Sequence, residues 1–591
     1  MFLRTVKASG GGGTQHEYLR LVESYRENGQ SKQRVVCHLG RKDLLAPHLD
    51  SLVRLLRGEP VERPIRLGDV QATDAWDWGP LLVIRALWRE LGIEATLDRV
   101  GGRGKGERVA LADRAWVLVA NRLCAPSSEH GLARWLETDF VCDRRGRRWV
   151  AQWREEDERR ASRLPRVRVA LRQLKSWYRT LDQLQARKNA IERALFLTLR
   201  DLFSLKVDLV FYDLTSTYFE GQGPADLARH GYSRDGKPRN RQVLVGVVMV
   251  QGWPIAHHVF EGNLRDSTTV EAVLDDLETR FGVGRVVFVG DRGMVTSDNL
   301  QRLQARGQGY LVGLERRRRP EVDQYLRRVD ETQWVDCPAG ITASEKAAVP
   351  RTQVQEVASQ KRGVRVFVVR SDERLAFEQA RRVDAMAQVR VALESLQRRV
   401  AKGQVKAPDK VGAAAARILA RHHGSRYFDW EYTDGRFRFF ESENLAREQA
   451  LEGTYLIQTE EPHLTPLEAV AIYKELSELE RGFANLKDVI ELRPIYHQTK
   501  ERVKAHVFVA TLAFLLHRAL EKKLKAAGLD VSATDALQAL RTVRVVEIDL
   551  GHARAKRSTT RGSARAARIL AALGITELDP PAPPGEAQTL M

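Results

Sequence analysis

KVDLVFYDLTSTYFEG, residues Lys206–Gly221, decides how the rest of the chain is read. Leu209, Val210, Phe211 and Tyr212 run together without a polar break, the pattern of a short strand covered on both faces. Asp213 follows with no turn residue before it, so its carboxylate belongs in or at the end of a central strand, partly buried. Burying an unpaired carboxylate costs roughly several kcal/mol, so a chain keeps one there only with a partner or a cation. The plainer alternative is an Asp that caps the backbone of Thr215, Ser216 and Thr217.

Working outward, residues 206–315 alternate strand and helix. Strands are expected at Gln242–Val250 and Trp253–Phe260. A helix begins near Ser267, with Thr268 and Glu271 in capping-box spacing, and runs to Phe281. Arg285–Val289 is a further apolar strand that ends in Gly290-Asp291-Arg292-Gly293-Met294. A helix follows from Thr296 or Ser297, then a fifth strand at Tyr310–Leu314. The order β-β-β-α-β-α-β predicts an α/β fold with a ribonuclease-H-like layout, a mixed sheet with helices on both faces. Asp291 stands at the C-terminal end of a buried strand, where α/β sheets place their chemistry. Gly290 and Gly293 beside it let backbone or substrate come close; a simple turn residue is the other reading.

A third carboxylate stands far downstream. Thr465-Pro466-Leu467-Glu468 starts a helix that the pattern carries over Leu467–Ile490. At about 100° per residue, Glu480 falls about −20° and Lys487 about −40° from Tyr473, so the three share one face. Leu476, Leu479, Phe483, Leu486 and Ile490 form an apolar stripe beside them, which puts Glu480 on the rim of a buried face. A helix-edge ion pair with Lys487 or Arg481 is the alternative role. Lys500–Leu524 is a further helix.

The remaining segments flank this core. Residues 1–66 hold a Gly10–Gly13 run, an Asn28-Gly29 hairpin signal and a helix at Leu44–Leu56, together a small basic β-rich module, either a plain cap or a DNA-contacting domain. Residues 67–205 read as helical, with periodic apolar positions over Leu81–Leu91, Leu111–Leu123 and Lys188–Leu205. Arg144, Arg145, Arg147 and Arg148 make a basic cluster, a solvated face or a DNA contact. Residues 316–462 read as an insertion domain, with strands at Arg365–Arg370 and Arg436–Glu441 and helices at Asp372–Ala401 and Ala413–His422. The core resumes over 463–527. Residues 528–591 are a basic C-terminal region ending in a proline-rich tail expected to be disordered.

Composition points to a polyanionic partner. The 591 residues carry 96 Lys+Arg against 77 Asp+Glu, a formal net charge of +19, with a sequence pI of about 9.8. A large protein with that excess usually meets nucleic acid. No apolar run approaches the roughly 20 residues needed to span a bilayer, so no membrane partner is expected. Cys37, Cys124, Cys142 and Cys337 are scattered without a CxxC pair, as reduced thiols in a cytosol would be.

Asp213, Asp291 and Glu480, if brought together, would repel unless cations neutralise them. Two Mg²⁺ ions, hard cations with oxygen ligands, suit such a cluster, with Mn²⁺ able to substitute. Such a pair holds the attacking and leaving oxygens of an in-line phosphoryl displacement. Read with NRLCAPSS (121–128), VGDRGM, YKELSELERGFANLK and ELRPIYHQTKERVKAHVFV, the chain resembles the DDE transposases of bacterial insertion sequences, in the group with a Y-x2-R-x3-E-x6-K motif. The resemblance implies that Asp213, Asp291 and Glu480 are the metal-binding catalytic carboxylates. It implies that Tyr473 and Lys487 contact phosphates at the transposon end. The family's Arg position is Leu476 here, inside the apolar stripe, and Arg493 or Lys504 is left to take over that DNA contact. It further implies double-stranded DNA partners, namely terminal inverted repeats and target DNA, a homodimer on DNA, cut-and-paste transposition, and a cytoplasmic, nucleoid-associated location. The alternative is a catalytically inactive relative that binds the ends as a repressor.

Overall fold

Asn28 and Gly29 turn the chain in two residues at φ of 52° and 80°, the left-handed backbone that this pair tolerates and that a tight hairpin requires. The turn joins β2 (Gln15–Glu27) to β3 (Gln30–Arg41), and β1 (Phe2–Ser9) pairs antiparallel with β2 to complete a three-stranded sheet. Leu19 and Val22 are its buried residues. A short helix, Lys42–Leu45, follows; most of the helix expected at Leu44–Leu56 lies outside the described residues. The computed structural model describes residues 2–9, 15–46, 53–54, 70–101, 109–149, 166–205, 207–265, 268–290, 296–317, 320–338, 350–549 and 556–582. They fall into two compact units, Met1–Ala75 with Val546–Ser558, and Trp76–Val545 with Thr559–Met591.

The second unit opens with helices. Gly79–Glu90, Ile93–Gly101, α1 (Leu111–Cys124) and the long α2 (Arg166–Phe203) include all three of the expected periodic segments. Then come β4 (Leu209–Tyr218), β5 (Gln242–Val250), β6 (Trp253–Glu261), α3 (Val270–Phe281), β7 (Val287–Gly290), α4 (Ser297–Ala305) and β8 (Gly309–Gly313). β4 pairs antiparallel with β5, and β5 with β6; β7 lies parallel to β4, and β8 parallel to β7. All nine residues of β5 are buried, which explains why its sequence is almost continuously apolar. Thr296 caps α4 by accepting the Asn299 amide at 3.2 Å.

The sheet continues past Gly313. β9 (Val335–Asp336), β10 (Thr352–Val357), β11 (Arg365–Ser371) and β14 (Thr454–Thr459), all from the stretch read as an insertion, extend it antiparallel. The result is one mixed nine-stranded sheet in the order β9-β10-β11-β14-β8-β7-β4-β5-β6. Between β11 and β14 lie α5 (Asp372–Ala401) and the hairpin β12 (Phe428–Thr433) and β13 (Arg436–Glu441). Val389, Leu393 and Leu396 pack there with Phe428 and Phe437 in a separate small core.

Two helices finish the sheet domain, α6 (Pro466–Ala484) and α7 (Lys500–Ala526). By length and composition α7 would cross a bilayer, yet 89% of its apolar stretch is buried inside the protein, as a core helix would be. The C-terminal region carries helices Ala533–Leu540 and Ala564–Ala572, and the Trp78 indole donates to the Leu578 carbonyl at 2.7 Å, so the chain is folded up to the start of the proline-rich stretch.

Candidate active site

Asp213 sits in the middle of β4, half-buried, and its Oδ1 accepts the Leu214 amide at 2.7 Å. Successive side chains alternate across a strand, so Asp213 shares a face with Phe211. Phe211 is level with Val289 of β7, and Val289 with Leu311 of β8, so Gly313 lies on that same face. The other face of β4 points to α3, where the Tyr212 hydroxyl meets Thr269 Oγ1 at 3.0 Å.

α6 lies across the Asp213 face, packed against β4, β7 and β8. Tyr473 fixes its orientation. Its ring stacks on Tyr455 of β14, with centroids 5.6 Å apart, and its hydroxyl would lie only 2.2 Å from a Cβ on Gly313. Glycine is required at 313 because the tyrosine occupies that space. On the opposite side of the helix a Cβ on Gly482 would meet the Phe514 ring of α7 at 2.7 Å. α6 is therefore held between sheet and α7, with the Tyr473 side toward the sheet. Position 480, two turns on, falls on the Tyr473 side by helical period. The Glu480 side chain and all of Asp291 lie outside the described residues; β7 is described to Gly290, one residue before Asp291. Leu476 is 3% exposed, in the core rather than on a DNA-facing surface.

A π-turn, Asn485–Val489, continues α6 and carries Lys487. Lys487 Nζ is 2.8 Å from Asp235 Oδ1, with the side chains 10% and 3% exposed. Burial lowers the Lys487 pKa from its ordinary value, against the opposing pull of Asp235. Arg493 also binds Asp235 Oδ1, and holds Asp488 at 2.5 Å. Two of the residues read as DNA contacts are thus engaged by one buried carboxylate from the loop between β4 and β5. Lys504, on α7, is 3.4 Å from Glu501 and partly exposed. Tyr473 is half-buried against the sheet.

Beyond the π-turn the chain returns to the end of β4. The Ile495 amide donates to Tyr218 and the Glu220 amide to Ile495. Glu491 takes a left-handed φ of 49°, a conformation that persists in a non-glycine residue only where its surroundings impose it. Arg122 of the NRLCAPSS segment donates to the Glu491 carbonyl at 3.3 Å, and His506 Nε2 meets the Leu492 carbonyl at 3.1 Å. Arg122 lies 3.1 Å from His506 Nδ1, and His497 is 3.5 Å from Glu129. Glu129, His497 and His506 have ligand atoms within 4.8 Å of one another. Both His506 nitrogens are already taken, one of them facing a guanidinium, so the trio acts as a buried clasp on the turn after α6 rather than as a cation site. Sequence reading singled out the segments that carry Arg122, His497 and His506 without linking them, and it passed over Glu129 and Asp235; the signal available for Asp235 was an acid alone in a basic, loop-length stretch between two strands.

Two family models match the chain. One, described as IS1634 family transposase, N-terminal domain, covers residues 3–62. The other, described as Transposase DDE domain, covers residues 208–516, just over half of the chain. No curated protein matches. Among solved structures the chain is similar to a cryo-EM structure of the piggyBac transposase synaptic complex with hairpin DNA, at 8% identity over 79% of this chain and 80% of that one, with a TM-score of 0.32. So slight a likeness carries no argument.

Proposed function

The chain belongs to the DDE transposases of bacterial insertion sequences, and we propose that it is a cut-and-paste enzyme, hydrolysing a phosphodiester at each terminal inverted repeat and joining the freed 3′-hydroxyl to target DNA. The observation that carries this reading is the seating of α6 on the Asp213 face, fixed by Tyr473 against Gly313. It brings the helix that bears Glu480 over the strand that bears Asp213. Asp291 follows β7, the parallel neighbour of β4. The order β8-β7-β4-β5-β6, with three antiparallel strands and two parallel ones, supports a ribonuclease-H-like core.

The donor set of Asp213, Asp291 and Glu480 is all carboxylate, which fits hard divalent cations, two Mg²⁺ with Mn²⁺ as substitute. Such ions, when bound, supply an activated water and a stabilised leaving oxygen. The protein's own part is to fix three carboxylates on rigid elements and to hold the DNA strand against them. No serine or tyrosine nucleophile is needed. Two ends must meet, so a homodimer on DNA is the working assembly, in the cytoplasm at the nucleoid.

The test is cleavage of DNA carrying the terminal inverted repeats in Mg²⁺, with loss of activity in Asp213→Ala, Asp291→Ala and Glu480→Ala. Wild-type activity in Asp213→Ala would defeat the proposal. Leu476, buried where the family carries Arg, favours a second reading, an inactive end-binding repressor. End binding in EDTA with no cleavage in Mg²⁺ would decide for it.

A further inference from the structure

Between β4 and β5 the chain makes a long excursion over residues 219–241, and the fold holds it tightly. Leu227 and Ala228 are buried with Phe219, Val243 and Ile495. The Asn240 amide donates to the Phe219 carbonyl at 2.9 Å, and the Arg234 backbone amide to Ser216 Oγ at 3.1 Å. Asp235 is drawn inward onto Lys487 and Arg493.

The anchoring sorts the loop's charges. Asp235, the one acid between positions 229 and 241, is 3% exposed and neutralised. Arg234, Lys237 and Arg239 are exposed, and Tyr232 is 83% exposed. An aromatic ring standing in water among cations, on a fixed loop, has the make-up of a nucleic-acid platform, where phosphates meet the charges and a base stacks on the ring. The platform is close to the proposed chemistry. Ser216, whose side chain holds Arg234, is three strand residues from Asp213, about 10 Å along β4 and on the opposite face of the strand. Lys487 is seven helical residues from Glu480, again about 10 Å. That is about three nucleotide steps at about 3.4 Å each.

We infer that this loop grips the DNA strand next to the cut, with Arg234, Lys237 and Arg239 on phosphates and Tyr232 stacked on an unpaired base. Lys487 and Arg493 act here as positioning residues that aim the loop through Asp235. The inference rests on the transposase reading for the location of the cut.

Binding to a terminal-repeat duplex, measured in EDTA by fluorescence anisotropy across a salt series, tests it without metal or turnover. For Lys237→Ala/Arg239→Ala the log–log salt slope becomes shallower by about 1.4 to 1.8, at about 0.7 to 0.9 for each phosphate that is no longer neutralised. Tyr232→Ala binds a repeat with unpaired nucleotides at the cut about tenfold more weakly, while Tyr232→Phe binds it like the wild type and the fully paired duplex is little affected. All these side chains are exposed, so melting temperatures stay at the wild-type value. An unchanged salt slope, or an equal loss in Tyr232→Phe, overturns the inference. A wild type that binds but does not cleave in Mg²⁺ overturns the proposed function and leaves the loop's role standing.

Discussion

Lys487 Nζ lies 2.8 Å from Asp235 Oδ1, and neither side chain is more than 10% exposed. The resemblance assigns this lysine to a phosphate at the transposon end, whereas the fold gives it a carboxylate partner within the protein. If this lysine turned to DNA, buried Asp235 would keep only Arg493, a partly exposed partner. Lys487→Ala leaves Asp235 with Arg493 alone, and breaking one partner of a buried pair costs about 3 kcal/mol. Denaturant unfolding would show that loss, and Asp235→Asn in the same protein would recover part of it. A Lys487→Ala protein of wild-type stability that no longer binds the ends would return the lysine to DNA.

Leu476 invites the opposite experiment, because Leu476→Arg restores the residue the family carries there. The leucine is 3% exposed on the side of α6 that meets the core. A guanidinium placed there loses its water and finds no room for a phosphate, at roughly several kcal/mol. The variant should melt well below the wild type and bind terminal repeats no more tightly. Tighter binding at unchanged melting temperature would mean that this face opens toward DNA.

The run of strands and helices from Leu209 to Gly313 was legible because the strands are built on short apolar runs and the helices between them start beside Ser/Thr positions. The placing of positions 473 and 480 on one face rests on about 100° per residue alone, whereas position 487, expected on the same face, falls in the π-turn Asn485–Val489, where that period no longer holds. What stayed illegible is long-range pairing. Asp235 and Lys487 are 252 residues apart, and no local pattern marks them as partners. β10, β11 and β14 read as parts of an insertion because β14, through which the other two join the sheet, pairs with β8, a strand that precedes it by a long stretch of chain. Arg122 looked like the end of a helix, since the Glu491 turn it holds is on the far side of the domain in sequence.

Gly313 tests the seating of α6 directly. A methyl group there would lie 2.2 Å from the Tyr473 hydroxyl, so Gly313→Ala must push the helix away from the sheet or strain the strand. Overpacking of this kind costs about 1–3 kcal/mol. Because α6 carries Glu480, DNA cleavage should fall by more than end binding in EDTA does. Tyr473→Phe in the Gly313→Ala background removes the closest atom and should restore part of both stability and cleavage. If Gly313→Ala cleaves DNA at the wild-type rate, the contact does not set the helix position.

Two buried histidines set how the protein meets acid. His257 is pushed down to about 4, by burial first and then by Lys188, against the opposing pull of Glu192 2.6 Å away. His506 is held below the ordinary imidazole range, by burial first and then by the Arg122 charge. In the unfolded chain both titrate near 6.5. From about pH 6.5 down to 4 the unfolded chain therefore takes up protons that the native protein refuses, and stability rises with pH wherever the unfolded state binds more. The native protein should be fully stable above about pH 6.5 and lose stability steadily below it, by about 3 kcal/mol from His257 alone over that window. Melting temperatures between pH 7.5 and 4.5 would trace this fall. His257→Gln, which keeps a polar group beside Glu192 but binds no proton, should flatten the slope. A wild-type melting temperature that stays level from pH 6.5 to 4.5 would mean that these imidazoles take up protons in the folded state, and that the buried clasp and the Glu192 network open more easily than their geometry implies.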